Sequence, residues 1–163
     1  MSRYLIVLLV LLLGACASTD RQDADSAYRT PDTAPTAPGA GQEFALRALG
    51  YIGVPYRWGG VSPNTGFDCS GLIRYVYGQL TGQSLPYNSY QLSGIGDTVD
   101  REQLQPGDLV FFNTMRQPFS HVGIYLGDAR FVHAPSTGGH VKISNMNNRY
   151  WQHRYNGARR LPI

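Results

Sequence analysis

Residues 66–80 read GFDCSGLIRYVYGQL, and this stretch predicts an α-helix that begins at Cys69. Asp68 is a typical N-cap after a loop rich in helix breakers, and apolar residues recur at helical spacing over residues 72–80. Gly82 provides the stop signal. Free backbone N–H groups and the positive end of the helix dipole favour a thiolate over a thiol at this position. Cys69 is therefore a candidate nucleophile.

A sulfur nucleophile needs a base that takes up a proton and later returns it, and histidine does this near neutral pH. Residues 120–127 alternate as a strand that contains His121, and residues 130–134 predict the next strand, with His133. The tight turn between them predicts a hairpin that places both imidazoles side by side. With Cys69 they would supply a nucleophile, a base and an orienting group, in a papain-like order.

Other interpretations of these residues are open. A cysteine and two histidines are also zinc ligands, although the closest pair, His121 and His133, is more widely spaced than zinc ligands usually are. An exported protein also permits a disulfide between Cys16 and Cys69. The other two histidines, His140 and His153, stand in no motif and are expected to be ordinary histidines.

Residues 1–15 have the pattern of a signal peptide, with Arg3 followed by an apolar run over residues 4–13. As a helix this run covers only about 15 Å, half of a bilayer's hydrocarbon core, so cleavage is expected rather than a permanent span. The sequence LGAC at residues 13–16 resembles the lipobox of bacterial lipoproteins, whose cysteine is acylated and becomes the mature N-terminus. An ordinary secretory signal with an incidental Cys16 is the alternative.

Residues 16–40 are rich in Asp, Thr, Ala and Pro and bury too little apolar surface to offset their ordering entropy. They are predicted to be a flexible tether between lipidated Cys16 and one domain over residues 41–163. Several acyl chains would hold the protein durably on a membrane. By resemblance to lipoprotein sorting, Ala17 predicts the periplasmic face of the outer membrane of a diderm bacterium.

The composition favours a compact, turn-rich α+β domain over a helical bundle, with 42% hydrophobic and 15% charged residues, 19 Gly and 10 Pro. The net charge is only +3, and no Lys/Arg cluster is interleaved with aromatic residues. The pair Arg159-Arg160 is too short to be a nucleic-acid footprint. We therefore expect no nucleic-acid partner, and we expect a monomer.

Several runs together resemble the NlpC/P60 family over roughly residues 42–163. They are PYRWGG at 55–60, FDCSGL at 67–72, QPGDLVFF at 105–112, SHVGIY at 120–125 and FVHA at 131–134. The resemblance implies a papain-like α+β fold, with the catalytic helix packed on an antiparallel sheet of five or six strands. We predict a first helix over residues 42–52. Strands are predicted near residues 109–113, 121–126, 130–134, 140–144 and 156–161.

The resemblance also implies roles for individual residues. Cys69 is the implied nucleophile, His121 the general base and His133 the group that orients His121 through its other ring nitrogen. Tyr56 is the implied oxyanion-binding tyrosine. Further candidates for contacts with the substrate are Trp58, Asp68, Ser70 and Ser120. No metal and no cofactor is implied.

The implied function is a peptidoglycan endopeptidase that hydrolyses peptide bonds of stem peptides or cross-links. Its partners would be the stem peptides and, through Cys16, a membrane. Two alternatives use the same fold. One is a non-catalytic peptidoglycan-binding outer-membrane lipoprotein, and the other is a papain-like amidase or acyltransferase with the same thioester chemistry.

Overall fold

The computed structural model describes residues 39–136 and 138–163. The predicted signal peptide, Cys16 and the predicted tether up to residue 38 lie outside the described residues. The helices are α1 (Ala40–Leu49), α2 (Cys69–Thr81), α3 (Ser89–Leu92) and α4 (Arg149–Gln152). The strands are β1 (Val61–Ser62), β2 (Gly66–Phe67), β3 (Asp97–Val99), β4 (Leu109–Phe112), β5 (His121–Gly127), β6 (Arg130–His133), β7 (Lys142–Asn145) and β8 (Tyr155–Arg160).

Six of these strands form one antiparallel sheet in the order β3-β8-β4-β5-β6-β7, which confirms the predicted α+β architecture. The edge strand β3 was not predicted. At the opposite edge, β7 begins at Lys142, two residues later than the predicted start at residue 140. His140 instead forms an isolated bridge with Pro55, because the chain here pairs with the loop before β1.

The helix α2 begins and ends where the sequence predicts. The Asp68 carboxylate accepts a hydrogen bond of 2.7 Å from the backbone N–H of Gly71, and Gly82 takes up a left-handed conformation with φ of 72°. The helix α1 ends at Leu49 rather than at the predicted Ile52. The N–H groups of Tyr51 and Ile52 bond three residues back instead of four, so the chain leaves the helix in turns.

Two hydrophobic layers cover the two faces of the sheet. Helices α1 and α2 bury the larger layer, which includes Phe44, Leu72, Phe111, Val122 and Ile124. Each fully buried side chain of this size contributes roughly 1.5–3 kcal/mol to the free energy of unfolding. The other face carries a smaller layer of Val99, Val110, Phe112, Phe131, Met146 and Ala158. Within the described residues, no helix combines the length and apolar character that a membrane span needs.

The predicted hairpin of β5 and β6 is present. Its turn residues Asp128 and Ala129 have φ of 51° and 56°, as in the tight turns that match the twist of paired strands. Tyr125 pairs with Phe131, and the register shifts between Tyr125 and Gly127. Since the side chains of a strand alternate between faces, His133 lies on the same face as Phe131, away from helix α2.

Candidate active site

The nucleophile candidate is the free thiol of Cys69, the first residue of α2. Asp68 holds this helix terminus in place. Besides capping Gly71, its carboxylate accepts a 3.0 Å hydrogen bond from the N–H of Gly59 and a 2.9 Å bond from the hydroxyl of Ser70. Asp68 is therefore the predicted N-cap of α2, and it also links the helix to the preceding loop at Gly59.

Burial controls the protonation of Cys69. It raises the pKa of the thiol to about 11, and the Asp68 carboxylate adds to this rise. Hydrogen bonds from the backbone N–H groups of Val122, Ser70 and Cys69 itself act in the opposite direction, as expected at a helix N-terminus, but they do not outweigh burial. Burial therefore opposes the thiolate that the helix N-terminus favours. At neutral pH the resting group is the thiol, and its proton must leave during the reaction.

The two histidines of the hairpin are in direct contact. Nε2 of His121 lies 2.8 Å from Nδ1 of His133, and the rings are nearly perpendicular at 85°. Both side chains are buried, with exposed fractions of 3% and 0%. The neighbouring Gly123 makes this approach possible. A Cβ on Gly123 would lie 2.5 Å from the Phe131 ring and 3.2 Å from Cβ of His133.

Both imidazoles are neutral at physiological pH. Burial lowers the pKa of His121 to about 4. Burial also lowers the pKa of His133 to about 2, assisted by His121 and by the nearby Lys142. Since Nε2 of His121 is occupied by His133, Nδ1 of His121 is the nitrogen that remains to exchange a proton with a substrate or with the thiol.

Trp151 in α4 packs against this pair, and no motif in the sequence predicts this contact. Its ring stacks on His121 at 5.5 Å and 27°, and meets His133 edge-on at 5.0 Å and 87°. The indole excludes water from one side of the His–His hydrogen bond, which strengthens that bond. The N-cap Asn148, whose side chain accepts from the N–H of Tyr150, marks the start of α4 and was the local signal for this helix.

The thiol and His121 both line one open cleft of about 900 Å³. Every predicted substrate-contact residue lines it as well, namely Tyr56, Trp58, Asp68, Ser70 and Ser120. His133 does not line the cleft because it is fully buried behind His121. Lining residues that were not predicted include Tyr87, Asn88, Lys142, Ser144, Asn148, Tyr150 and Trp151.

Two of the predicted contact residues, Ser70 and Ser120, have hydroxyl groups that form hydrogen bonds within the protein. The Oγ of Ser70 lies 3.0 Å from the carbonyl oxygen of Tyr87 as well as near Asp68. The Oγ of Ser120 accepts hydrogen bonds of 2.9 and 3.1 Å from the N–H groups of Thr114 and Met115. These serines hold the walls of the cleft. Trp58, by contrast, is 75% exposed and free to meet a ligand.

The geometry gives no support to a metal site. Residues 39–136 and 138–163 contain no group of three or more His, Cys, Asp or Glu side chains placed to hold a metal ion. Both ring nitrogens of His133 are taken, one by His121 and the other by Ser144 Oγ at 2.9 Å. His140 and His153 are exposed and lie outside the cleft lining.

We predict that the buried histidines make the fold acid-sensitive. Between pH 6.5 and about 4 the unfolded chain binds protons at both imidazoles that the folded chain does not, so stability falls as pH falls. The slope is up to ~1.4 kcal/mol per pH unit for each histidine. It ends near pH 4 for His121 and near pH 2 for His133. Urea denaturation at several pH values measures how the free energy of unfolding depends on pH.

The control for this prediction is the exposed His140. His133→Gln should reduce the slope of stability against pH between 6.5 and 4, whereas His140→Gln should leave the slope unchanged. A wild-type protein whose stability is constant over this interval would contradict the prediction.

The fold and this constellation define a papain-like thiol site, in which a cysteine at a helix N-terminus shares a cleft with one histidine, and a second, buried histidine of the same sheet bonds to the first. Residues 53–160 match the NlpC/P60 family. The chain belongs to this family, as the sequence runs around Cys69 and His121 predict.

The relatives of the chain agree with this assignment. It is 45% identical over 113 residues to the murein DD-endopeptidase MepH of Escherichia coli K12, covering 68% of this chain and 42% of MepH. It is 35% identical over 164 residues to a probable endopeptidase of Haemophilus influenzae, covering 97% of this chain and 96% of that protein. An NlpC/P60 family protein of Bacillus cereus has a TM-score of 0.69 at 37% identity, covering 77% of this chain and 41% of that chain. The match therefore spans less than half of MepH and of the B. cereus protein.

Proposed function

We propose that this protein is a peptidoglycan endopeptidase that hydrolyses peptide bonds of stem peptides or cross-links through a thioester on Cys69. The observation that carries the proposal is the free thiol in an open cleft that His121 also lines, with the His133 hydrogen bond leaving Nδ1 of His121 available. Binding alone would need neither a thiol at a helix N-terminus nor a paired imidazole. The activity that MepH carries in its name supports peptidoglycan as the substrate.

In the acylation step, His121 Nδ1 takes the proton of the thiol as Sγ attacks the carbonyl carbon of the scissile bond. The tetrahedral intermediate carries a negative oxygen, which the backbone N–H of Cys69 and the phenol of Tyr56 would bind. Burial raises the pKa of Tyr56, and Cys69 and Asp68 raise it further, so the phenol keeps the proton that it must donate. Collapse of the intermediate breaks the C–N bond, and the leaving amine takes the proton from His121.

In the deacylation step, His121 takes a proton from a water molecule as that water attacks the thioester carbonyl. The C–S bond then breaks, the acid product leaves, and Cys69 receives the proton back. A neutral thiol and a neutral imidazole fit this cycle, because the proton moves only while the carbonyl is under attack. His133 stabilises the transient imidazolium of His121 by accepting its Nε2–H.

The experiment uses the purified chain and two defined substrates, a monomeric and a cross-linked muropeptide, with the products analysed by mass spectrometry. Loss of the cross-linked form without shortening of the stems would identify the D,D cross-link as the bond that is cut. Shortened stems would identify a bond within the stem peptide. No cleavage of either substrate, together with binding to intact peptidoglycan, would favour the non-catalytic alternative.

We further propose that the protein is anchored to the periplasmic face of the outer membrane through lipid on Cys16. This proposal is supported by the signal-like residues 1–15 and the lipobox-like LGAC. Ala17 after the cysteine supports the outer membrane as the destination.

We predict that Cys16→Ser moves the protein from the membrane fraction to the soluble fraction of a diderm host, because the acyl chains are lost. Fractionation and labelling with a palmitate analogue measure this. The matched control is Cys69→Ser, the other cysteine, which should stay membrane-bound and labelled. A Cys16→Ser protein that still incorporates the palmitate analogue would contradict anchoring at this residue.

A further inference from the structure

The second histidine of the pair, His133, also contacts a third side chain, that of Ser144. Nε2 of His133 lies 2.9 Å from Oγ of Ser144, so the hydrogen bonds run from His121 through His133 to Ser144. Ser144 lies in the edge strand β7 and is directly paired with Phe131 of β6. It is half-buried and lines the cleft, whereas both imidazoles are buried. Nothing in the acylation and deacylation steps above assigns a role to this serine.

The direction of these hydrogen bonds decides whether His121 can act as a base. To accept a proton at Nδ1, neutral His121 must carry its own proton on Nε2 and donate it to Nδ1 of His133. His133 then carries its proton on Nε2, and that N–H needs an acceptor. In the opposite arrangement His133 donates to His121, and His121 presents an N–H to the cleft where a lone pair is required.

We propose that Ser144 is a positioning residue that accepts the Nε2–H of His133 and thereby holds both histidines in the tautomers that leave Nδ1 of His121 unprotonated. The hydroxyl suits this role because it lines the cleft, so its own hydrogen has open space while a lone pair faces His133. The inference rests on the proposed function for its catalytic consequence, but the tautomers are a property of the folded chain alone.

The surroundings of His133 leave Ser144 as the acceptor. The other groups packed against its ring are His121, the aromatic rings of Phe131 and Trp151, and the cation Lys142, which lies opposite His133 in the sheet. An ammonium group has no lone pair to offer, and it opposes protonation of His133. Within the described residues, Ser144 Oγ is the partner that the structure gives to Nε2 of His133.

The kinetic test is Ser144→Ala in the full chain with a cross-linked muropeptide. We expect kcat to fall by about 10–100-fold, as is typical when a residue that orients a metal-bound imidazole is lost, with KM within about twofold. Ser144→Thr keeps the hydroxyl and suits a strand, so it should restore most of kcat. The matched control is Ile143→Ala, the exposed neighbour on the same strand, which should leave kcat unchanged.

The direct test is the ring ¹⁵N NMR spectrum of the histidines in Cys69→Ala, which needs no activity. We expect His121 and His133 both to carry the proton on Nε2, and Ser144→Ala in the same background to shift His133 toward a mixture of tautomers. Unchanged tautomers after Ser144→Ala, or an unchanged kcat, would overturn the proposal. If the wild type cleaves no muropeptide, the proposed function fails, and the NMR spectra still decide the role of Ser144.

Discussion

Cys69→Ala is expected to abolish the release of muropeptides from peptidoglycan, with a fall in turnover on the order of 10³-fold or more. Without Sγ no thioester can form, and no other cysteine lies among the described residues. The measurement is chromatography of the soluble fragments released from purified peptidoglycan over time. Because the side chain changes only from a thiol to a methyl group, the cap at Asp68 and the helix α2 should be retained.

The control for Cys69→Ala is binding. The variant should co-sediment with peptidoglycan as the wild type does, and its thermal midpoint should stay within a few degrees of the wild-type value. Equal release of fragments by the variant and the wild type would rule out the thiol mechanism. It would leave open only a hydrolase that acts through other groups of the cleft.

His121→Gln is expected to reduce turnover by a similar factor, because glutamine cannot take the proton of the thiol or deliver one to the leaving amine. Glutamine has nearly the size of histidine, so the buried site keeps its packing better than with alanine. Since Cys69 and His121 act as a unit, the double variant Cys69→Ala with His121→Gln should be no slower than either single variant. Initial rates on the cross-linked muropeptide measure all three proteins.

Alkylation distinguishes loss of the base, His121, from loss of the nucleophile, Cys69. In His121→Gln the thiol is still present, so iodoacetamide should label Cys69 to the same extent as in wild type above pH 11, where the thiol is ionised. The matched control for the substitution is His153→Gln, an exposed histidine outside the cleft, which should keep full activity. Wild-type turnover by His121→Gln would remove His121 from the mechanism.

Some elements of this protein can be predicted from short stretches of its sequence, and others cannot. Asp68, Cys69 and Gly82 are recognisable because an N-cap, a helix start and a left-handed stop depend on a few neighbouring residues. The hairpin of β5 and β6 is equally local, since its turn and its alternating strands are contiguous in the chain. The short elements β1, β2, β3, α3 and α4 have too few residues for a periodic pattern to emerge, so the sequence does not predict them.

The candidate active site likewise contains residues that the sequence predicts and residues that it does not. Trp151 and Ser144 belong to the environment of His121 and His133, yet they lie in other elements and become neighbours only through the order of strands and the placement of α4. No spacing along the chain signals such a contact. Among the predicted substrate contacts, Ser70 and Ser120 also form hydrogen bonds to the loops of the cleft wall, which the sequence does not signal.

The family, the helix that starts at Cys69 and the hairpin that carries His121 and His133 can all be predicted from the sequence, because each follows from contiguous residues. The protonation of these groups depends instead on how the chain is folded around them. The backbone N–H groups at the helix terminus act to lower the pKa of Cys69, as its position predicts, but burial outweighs them and raises the pKa to about 11. Desolvation sums over every element packed around a group, and that sum exists only once the chain has folded.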